Sequence, residues 1–455
     1  MMKTPPNLGI DYDPVRHPEG CRPGIDCERW AIRNARVIDP ASDLDSVTDV
    51  YVDSGRILAI GQEPEGFADA PSVDGSGQWL IPGVVDSWAR LREPGAEHKA
   101  TVATESYAAV AGGITTLCLP PDTNPVLDTV AVARFVKRRA QLAGRARVLC
   151  IGALTQGLKG ELLSEMAELA EGGCIAVSNC HYPLHNLRLF KRALEYAATF
   201  NILVMIQPED ASLSQNGCAH DGAVASRLGL PGIPVAAETA ALAQTLALVE
   251  ETGAAVHFCN LSAAASVRLL ARAKNDGLPV SASVSAHQLW LTEMDSDAFC
   301  GSTHVLPPLR TLRDRDALRQ AVADGLINCI VSDHQPHERE AKQAPFPQTE
   351  PGISGLDTLL PLTLKLVDEK ILTLKQALAC LTCNPAQQLS LDAGEIAVGA
   401  RADLALIDPD SFWTLDETTM HSAGQNTPFW GWDFRHRVTR TWVNGKLVYQ
   451  LSEAD

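Results

Sequence analysis

Short runs in which hydrophobic and polar residues alternate occupy both ends of the chain. These strand-like runs cover residues 31–38, 49–52, 56–60, 402–408, 440–443 and 446–449. Between the last two lies Asn444-Gly445, a pair that favours a type I′ hairpin turn. Two strand-rich ends around a long middle predict one small β-sandwich built from residues 29–80 and 391–455.

The long middle alternates between short apolar runs and stretches with helical periodicity. The apolar runs include residues 114–119, 203–206, 255–258 and 327–331, and the helical stretches include 129–143, 238–251 and 262–273. Repeated strand–helix units of this length indicate a parallel sheet. The predicted fold class is α/β, with a (β/α)8 TIM-type barrel over residues 81–390.

Composition and charge restrict the possible partners. The chain has 455 residues, of which 45% are hydrophobic and 20% charged, as in ordinary globular proteins. A net charge of −17 argues against nucleic acid and anionic membranes as partners, because both require a basic surface. Since no apolar run is long enough to span a bilayer and residues 1–28 lack the apolar core of a signal peptide, we expect a cytoplasmic protein.

Two further expectations concern the first residues and the cysteines. Residues 1–28 show no periodicity and contain scattered Pro and Gly, which predicts a flexible N-terminal arm. The twelve cysteines are expected to be buried, reduced thiols. Four of them, Cys118, Cys150, Cys259 and Cys329, lie within apolar strand-like runs.

A series of short motifs resembles the dihydroorotase family of the amidohydrolase superfamily. The motifs are Leu91-Arg-Glu-Pro-Gly95, Ala111-Gly-Gly-Ile-Thr-Thr116, Pro121-Asp-Thr-Asn-Pro125, Ser332-Asp-His-Gln-Pro-His337, Gly399-Ala-Arg-Ala-Asp-Leu404 and Asn426-Thr-Pro-Phe429. Each motif alone is a weak signal, but their order and spacing over about residues 30–450 form a strong one. The resemblance implies a barrel that holds zinc at its C-terminal mouth and hydrolyses a cyclic amide.

The positions of the implied zinc ligands carry the wrong residues. The His-x-His pair is replaced by Trp88 and Arg90, the carboxylate by Asn179, and the two later histidines by Gln207 and Asn260, so that only Asp333 matches. Indole nitrogen only donates hydrogen bonds, and guanidinium has no lone pair to offer a metal. Because zinc sites generally need at least three protein ligands, we expect no metal cofactor, no catalytic residue and a vestigial Asp333. A rearranged site that uses Cys180, His181, His185, His257 or His334 stays open as an alternative.

The implied substrate site is partly retained. Arg92 and His337 match the residues that would contact a substrate carboxylate, whereas Asp122 stands where the family has asparagine. We expect Arg92 to pair with Asp122, Asp333 or Glu93 in a metal-free pocket. Arg90, if it points into the vacated site, would supply part of the missing positive charge.

The resemblance implies a role without catalysis. Metal-free chains of this kind, called pseudo-dihydroorotases, assemble with catalytic chains of aspartate carbamoyltransferase in pyrimidine synthesis, so we expect a structural subunit in a homo- or hetero-oligomer. The alternative is an active dihydroorotase or related cyclic amidohydrolase with a non-standard metal site. A third possibility is a metal-free sensor that binds carbamoyl aspartate or dihydroorotate through Arg92 and His337.

Overall fold

A computed structural model describes Gly24 and residues 27–452. Its strands are β1 (Arg29–Asp39), β2 (Leu44–Asp53), β3 (Arg56–Ile60), β4 (Ser72–Asp74), β5 (Trp79–Pro82), β6 (Val84–Asp86), β7 (Ile114–Leu119), β8 (Arg147–Ala153), β9 (Cys174–Ser178), β10 (Val204–Ile206), β11 (Ala219–His220), β12 (Gly232–Ile233), β13 (Val256–Phe258), β14 (Val280–Ser285), β15 (Cys329–Val331), β16 (Leu404–Thr414), β17 (Asp433–Val443) and β18 (Lys446–Gln450). The predicted arm, residues 1–28, lies almost entirely outside the described residues.

The helices mostly alternate with the central strands. They are α1 (Val102–Ala111), α2 (Val130–Ala143), α3 (Met166–Glu171), α4 (Leu187–Thr199), α5 (Ala211–Ser214), α6 (Ala223–Leu228), α7 (Val235–Thr252), α8 (Ala264–Asn275), α9 (Leu312–Ala323), α10 (Leu356–Asp368), α11 (Leu374–Ala379) and α12 (Cys383–Gln388). Short 3-10 turns lie at Gln156–Leu158, Ala286–Leu289, Glu293–Ser296, Gly301–Thr303, Arg339–Lys342 and Phe346–Gln348. No helix within the described part of the chain is long and apolar enough to cross a membrane.

The central sheet forms a nearly closed barrel. Its strands follow the order β6-β7-β8-β9-β10-β13-β14-β15, and neighbouring strands run parallel. Beyond the strand ends, Ala89 pairs with His334 in a parallel bridge, and the amide of Arg90 donates to the carbonyl oxygen of His334 at 2.9 Å. The buried carboxylate of Asp86 accepts hydrogen bonds from the amide and hydroxyl of Ser332. The predicted α/β barrel fold is confirmed.

The strands of the two chain ends form one mixed sheet. Its order is β18-β17-β16-β5-β1-β2-β3, with β4 added alongside β1. The join between the two ends is the antiparallel pair β5–β16, in which Ile81 lies opposite Ala405. The indoles of Trp30 and Trp442 stack at 5.2 Å and anchor a separate apolar cluster of this sheet.

Helix caps fix the loops that border the barrel mouth. Asn186 accepts hydrogen bonds from the amides of Arg188 and Leu189, so α4 begins soon after β9. Asp210 caps α5 in the same way after β10. The two polar caps therefore set the paths of two adjacent loops at one end of the barrel.

The prediction of buried, reduced cysteines is correct for most of the described positions and wrong for three. Ten cysteines among the described residues are free, and eight of these are buried. Cys300 is exposed and Cys383 is partly exposed. Cys27 is disulfide-bonded, so the expectation that every cysteine is reduced is wrong. Apolar surroundings predict a buried thiol well, whereas a cysteine in an irregular segment has no such signal.

Candidate functional site

The six positions of the implied metal ligands all lie at the C-terminal ends of barrel strands. They are Trp88 and Arg90 after β6, Asn179 after β9, Gln207 after β10, Asn260 after β13 and Asp333 after β15. Each of these side chains is buried. The fold therefore gathers all six at the face where barrel enzymes carry their active sites.

Arg90 places a positive charge in the centre of this face. Its Nε donates to Asp122 at 2.6 Å, and its Nη1 lies 3.5 Å from a carboxylate oxygen of Asp333. The exposed fractions of the three side chains are only 5%, 8% and 2%, respectively. The second oxygen of Asp333 accepts a hydrogen bond from the hydroxyl of Ser285 at 3.3 Å. The guanidinium of Arg90 thus lies against two carboxyl groups that are almost completely shielded from water.

The pKa values of Asp122 and Asp333 are shifted in opposite directions. Burial opposes the charge of Arg90, but the attraction of Asp122 and other groups outweighs it, so the pKa of the guanidinium is raised. Burial would also raise the pKa of Asp122, yet Arg90 holds that pKa below its ordinary value. Asp333 differs, because burial outweighs the attraction of Arg90 and raises its pKa to about 7. The ionised pair is therefore Arg90–Asp122, and Asp333 is partly protonated near neutral pH.

Trp88 fills the interior of the barrel beneath this ion pair. Its indole belongs to an apolar cluster that includes Ile151, Met205 and Val331. These residues alternate along their strands with residues of the outer core, so they point into the barrel. The guanidinium of Arg90 lies 5.7 Å from the centre of the indole ring. A bulky apolar ring therefore occupies the interior beneath the mouth.

The side chains of Asn179 and Gln207 form hydrogen bonds with loop residues and not with each other. Asn179 accepts from the hydroxyl of Thr155 at 2.6 Å and donates to the carbonyl oxygen of Tyr182 at 2.9 Å. The amide of Gln207 makes one long hydrogen bond, from Nε2 to the carbonyl oxygen of Leu306 at 3.4 Å. Asn179 thus has a structural role in joining two loops, whereas Gln207 is only weakly held.

The opposite side of the mouth contains polar atoms without partners. Within the described residues, neither amide atom of Asn260 and neither ring nitrogen of His287 has a hydrogen-bond partner. Below the mouth, within β13 itself, His257 bonds Ser281 through Nδ1 at 2.8 Å, while its Nε2 has no hydrogen-bond partner among the described residues. All three side chains are almost completely buried. Buried polar groups without hydrogen-bond partners lower the stability of the folded state, so these side chains are a source of instability.

Comparisons with known proteins identify the family. A dihydro-orotase-like family model matches residues 77–266, and an amidohydrolase family model matches residues 350–449. A dihydroorotase-like protein from Pseudomonas aeruginosa is 50% identical over 420 residues, which cover 92% of this chain and 99% of that protein. This chain belongs to the dihydroorotase-like family. The family resemblance inferred from the motifs is therefore confirmed.

Other relatives and solved structures agree with this assignment. The dihydroorotase-like protein of Pseudomonas putida is 48% identical over 419 residues, covering 92% of this chain and 99% of that protein. A dihydroorotase of Anaeromyxobacter dehalogenans is 43% identical over 426 residues, with 93% and 98% coverage. The L-hydantoinase of Arthrobacter aurescens shares the fold, with a TM-score of 0.84 and 22% identity over 94% of this chain and 97% of that one. The family is thus one of cyclic amide hydrolases.

The residues of this dihydroorotase-like chain do not fit the zinc of the family. Across residues 27–452, no group of three or more His, Cys, Asp or Glu side chains is arranged to hold a metal ion. Asp122 and Asp333 both contact the guanidinium of Arg90. A divalent ion there would have to displace a cation that is covalently part of the chain, so no reaction step through zinc is derived.

The histidines that could rebuild a metal site are spread over separate environments. His181 stacks on Tyr182 at 4.5 Å, and burial together with Arg90 lowers its pKa to about 4. His185 is exposed on the same loop. His334 lies 2.8 Å from the carboxylate of Glu105 and accepts from the amide of Gly355 at 3.1 Å, so both of its ring nitrogens are engaged. The geometry therefore does not support the rearranged site.

Arg92 does not make the expected ion pair. Instead of contacting Asp122, Asp333 or Glu93, its Nε donates to the carbonyl oxygen of Pro336 at 3.0 Å. The reason is geometric, because Arg90 on the same segment already contacts both Asp122 and Asp333. Burial and then the charge of Arg90 lower the pKa of Arg92 to about 10. The prediction of a carboxylate partner for Arg92 was wrong, and Arg90 has that role.

His337 lies against Arg92 as a neutral ring. Its Nδ1 is 3.2 Å from the ammonium of Lys99, while its Nε2 is 2.9 Å from the carbonyl oxygen of Pro351. Nε2 also lies 3.0 Å from a guanidinium nitrogen of Arg92, and Nδ1 lies 3.4 Å from a carboxylate oxygen of Glu350, so the tautomer decides which of these contacts are hydrogen bonds. Burial and then Arg92 lower the pKa of His337 to about 2. The two residues implied for substrate binding are therefore adjacent, at hydrogen-bond distance from each other.

The sequence analysis missed two buried carboxylates that join the mouth to the rest of the molecule. Asp86 ends β6 and binds Ser332 across the barrel seam, and burial raises its pKa to about 6. Glu105, inside α1, binds His334 and also accepts from the hydroxyl of Ser422 at 2.6 Å. A glutamate within an otherwise apolar helix face was a usable signal for Glu105. Asp86 offered no comparable signal, since an aspartate at the end of a strand is common.

Proposed function

We propose that this chain is a catalytically inactive dihydroorotase-like protein that acts as a structural subunit for aspartate carbamoyltransferase in pyrimidine biosynthesis. The single observation that carries the proposal is the buried contact of Arg90 with Asp122 and Asp333. A permanent cation at the centre of the mouth opposes the binding of a second cation, the divalent ion on which the family chemistry depends.

The pattern of replacement supports a retained scaffold. Trp88 contributes a fully buried ring to the barrel interior, and Arg90 satisfies the carboxylates of the mouth. Meanwhile the loops built on the family motifs still make specific bonds. Asn426, for example, accepts from the amide of His337 at 2.8 Å and donates to the carbonyl oxygen of Gln335 at 2.9 Å. A protein that retains the fold, while the implied metal-ligand positions carry other residues, can still serve as a structural subunit of a complex.

The assembly is tested by mixing the purified chain with the catalytic chain of aspartate carbamoyltransferase from the same organism. Size-exclusion chromatography with light scattering should show a complex of defined mass that contains both chains. The carbamoyltransferase activity or its thermal stability should also change when the complex forms. Two separate elution peaks, together with unaltered transferase activity and stability, would rule out the structural role.

The absence of catalysis is tested on the same preparation. We expect no hydrolysis of dihydroorotate above background when zinc or manganese is supplied, and no stoichiometric metal by mass spectrometry. The alternative, an active cyclic amidohydrolase with a non-standard metal site, predicts metal-dependent turnover that Asp333→Ala abolishes. That result would replace the inactive assignment with an enzymatic one, whether or not the complex forms.

A further inference from the structure

Helix α2 and the residues just after it are basic, although the protein as a whole is acidic. Residues 130–147 contain six arginine or lysine residues and no aspartate or glutamate, whereas the net charge of the chain is −17. Four of the six have partners inside the molecule, since Lys137 donates to the carbonyl oxygen of Gly172, Arg139 contacts Glu93, Arg145 donates to the carbonyl oxygen of Val448 and Arg147 contacts Asp403. The other two, Arg134 and Arg138, are exposed and form no ion pair or hydrogen bond with a described residue.

The exposed residues of α2 all lie on one side of the helix. They are Ala131, Arg134, Phe135, Arg138, Gln141 and Leu142. At 3.6 residues per turn, these six positions span about 120° of the helix surface, opposite the buried Ala133, Val136 and Ala140. Phe135 is 44% exposed and Leu142 is 70% exposed. Two large apolar side chains, about 10 Å apart along the helix axis, therefore share one surface with two unpaired guanidinium groups.

These residue types are the ones found at the centre of protein–protein interfaces. Arginine and aromatic residues are enriched there, whereas lysine, aspartate and glutamate are depleted. The opposite side of α2 already holds the helix on the barrel, because Ala133, Val136 and Ala140 belong to the main hydrophobic core. The exposed side is therefore not needed to fix the helix, and Phe135 and Leu142 would leave water only when another molecule covers them.

The charge of this surface determines the kind of molecule that can cover it. Unpaired guanidinium groups favour a partner surface that carries carboxylates, because opposite charges across an interface attract. The basic strip is only one helix wide, since the neighbouring α3 exposes Glu168 and Glu171. A nucleic-acid backbone needs a broader basic surface and would be repelled by the net charge of −17. An acidic protein surface with an apolar centre therefore fits best.

We propose that the α2 face, defined as Arg134, Phe135, Arg138 and Leu142, docks an acidic surface of a partner protein. Carboxylates of the partner pair with the two arginines, and its apolar side chains cover Phe135 and Leu142. The partner is the aspartate carbamoyltransferase chain, so this inference rests on the function proposed above. Because α2 packs on the outside of the barrel, docking there needs no change in the ion pairs of Arg90 at the mouth.

The test compares dissociation constants for the carbamoyltransferase chain, measured by biolayer interferometry with the full chain and its variants. The charge-reversed variant Arg134→Glu/Arg138→Glu should bind roughly tenfold more weakly or worse, because attraction becomes repulsion. Phe135→Ala should also weaken binding by roughly tenfold, since an aromatic anchor is lost. The control Arg272→Glu/Arg313→Glu makes the same change in charge at two exposed arginines on the neighbouring helices α8 and α9, and it should bind like the unaltered chain.

The possible outcomes separate this inference from the proposed function. Full affinity in both α2 variants, shown to be folded by circular dichroism, would overturn the α2 face and leave the structural role intact. No complex with the unaltered chain would overturn the structural role and this inference with it. Light scattering of the chain alone and titration with a labelled single-stranded oligonucleotide test two other occupants. Self-association or oligonucleotide binding that the charge reversal abolishes, with unchanged affinity for the carbamoyltransferase, would assign the face to a second copy or to nucleic acid and overturn the proposal.

Discussion

The two sides of the barrel mouth differ in their buried charges, since one side carries a compensated cluster of charges and the other carries neutral side chains without hydrogen-bond partners. Some neutral atoms lack a partner on the first side as well, for example Nε1 of Trp88. On the side of β6, β7 and β15, Arg90, Asp122 and Asp333 form a closed network of charges. On the side of β13 and β14, Asn260 and His287 have polar atoms without a hydrogen-bond partner among the described residues. Both sides are equally buried, so the difference lies in compensation and not in access to water.

This difference indicates which buried groups at the barrel mouth need a partner for the fold to be stable. A carboxylate left alone in the interior is far more costly than an unpaired amide, because a buried charge loses most of its solvation. Arg90 removes that cost for Asp122 and reduces it for Asp333. Neutral Asn260 and His287 carry a smaller cost that the fold can tolerate without a partner.

The largest expected effect comes from removing the cation on the paired side. Arg90→Met keeps much of the volume but leaves Asp122 and Asp333 without a counter-charge, which should lower the free energy of unfolding by about 3–5 kcal/mol. Urea denaturation measures it. The control is Arg36→Met, which breaks the exposed Arg36–Asp45 pair and should cost about 1 kcal/mol or less. Equal losses in the two variants would mean that burial does not distinguish the pairs.

A smaller loss is expected when the carboxylate is neutralised and the cation kept. Asp122→Asn retains an acceptor for Arg90 but removes the charge that holds the pair, so the free energy of unfolding should fall by about 2–3 kcal/mol. Asp45→Asn, at the exposed pair, serves as the control and should cost less than about 1 kcal/mol. A loss at Asp122 no greater than at Asp45 would contradict the central role of the Arg90–Asp122 pair.

The third prediction concerns pH. The pKa of Asp333 is raised to about 7 in the folded chain and is about 4 when unfolded, so the folded state binds the extra proton between these values. Its contribution to stability is therefore full below pH 4 and is lost as the pH rises through 7. Asp333→Asn removes this dependence. The free energy of unfolding of the variant, relative to that of the original chain, should therefore rise by roughly 2 kcal/mol between pH 5 and pH 8. A constant difference across that range would show that Asp333 is ionised throughout.

The smallest effect is expected on the unpaired side and has the opposite sign. His287→Leu removes two buried nitrogens that have no partner among the described residues, so the free energy of unfolding should rise by about 1 kcal/mol. His334→Leu is the matched control, since both of its nitrogens are bonded and it should be clearly destabilised. Destabilisation by His287→Leu would indicate that its ring nitrogens are in fact satisfied.

Much of the fold followed from local patterns, because those patterns report burial directly. The alternation of strand-like and helical runs indicated the barrel, and the six positions at its mouth could be placed from motifs at strand ends. The partner of Arg92 could not be placed in this way. Arg90 and Arg92 lie two residues apart with similar side chains, and their partners depend on the direction in which each points once the barrel has closed.

By itself, the sequence determined the family and the barrel and predicted that the implied ligand positions carry other residues, since each of these depends on residue types at fixed spacings. Only the tertiary structure decided which groups surround Arg90 at the barrel mouth. The atoms that neutralise Arg90 come from residues 32 and 243 positions away along the chain, and closure of the barrel brings them together. Electrostatic compensation falls off with distance in space, and distances in space between separate strands are fixed by folding and not by chain order.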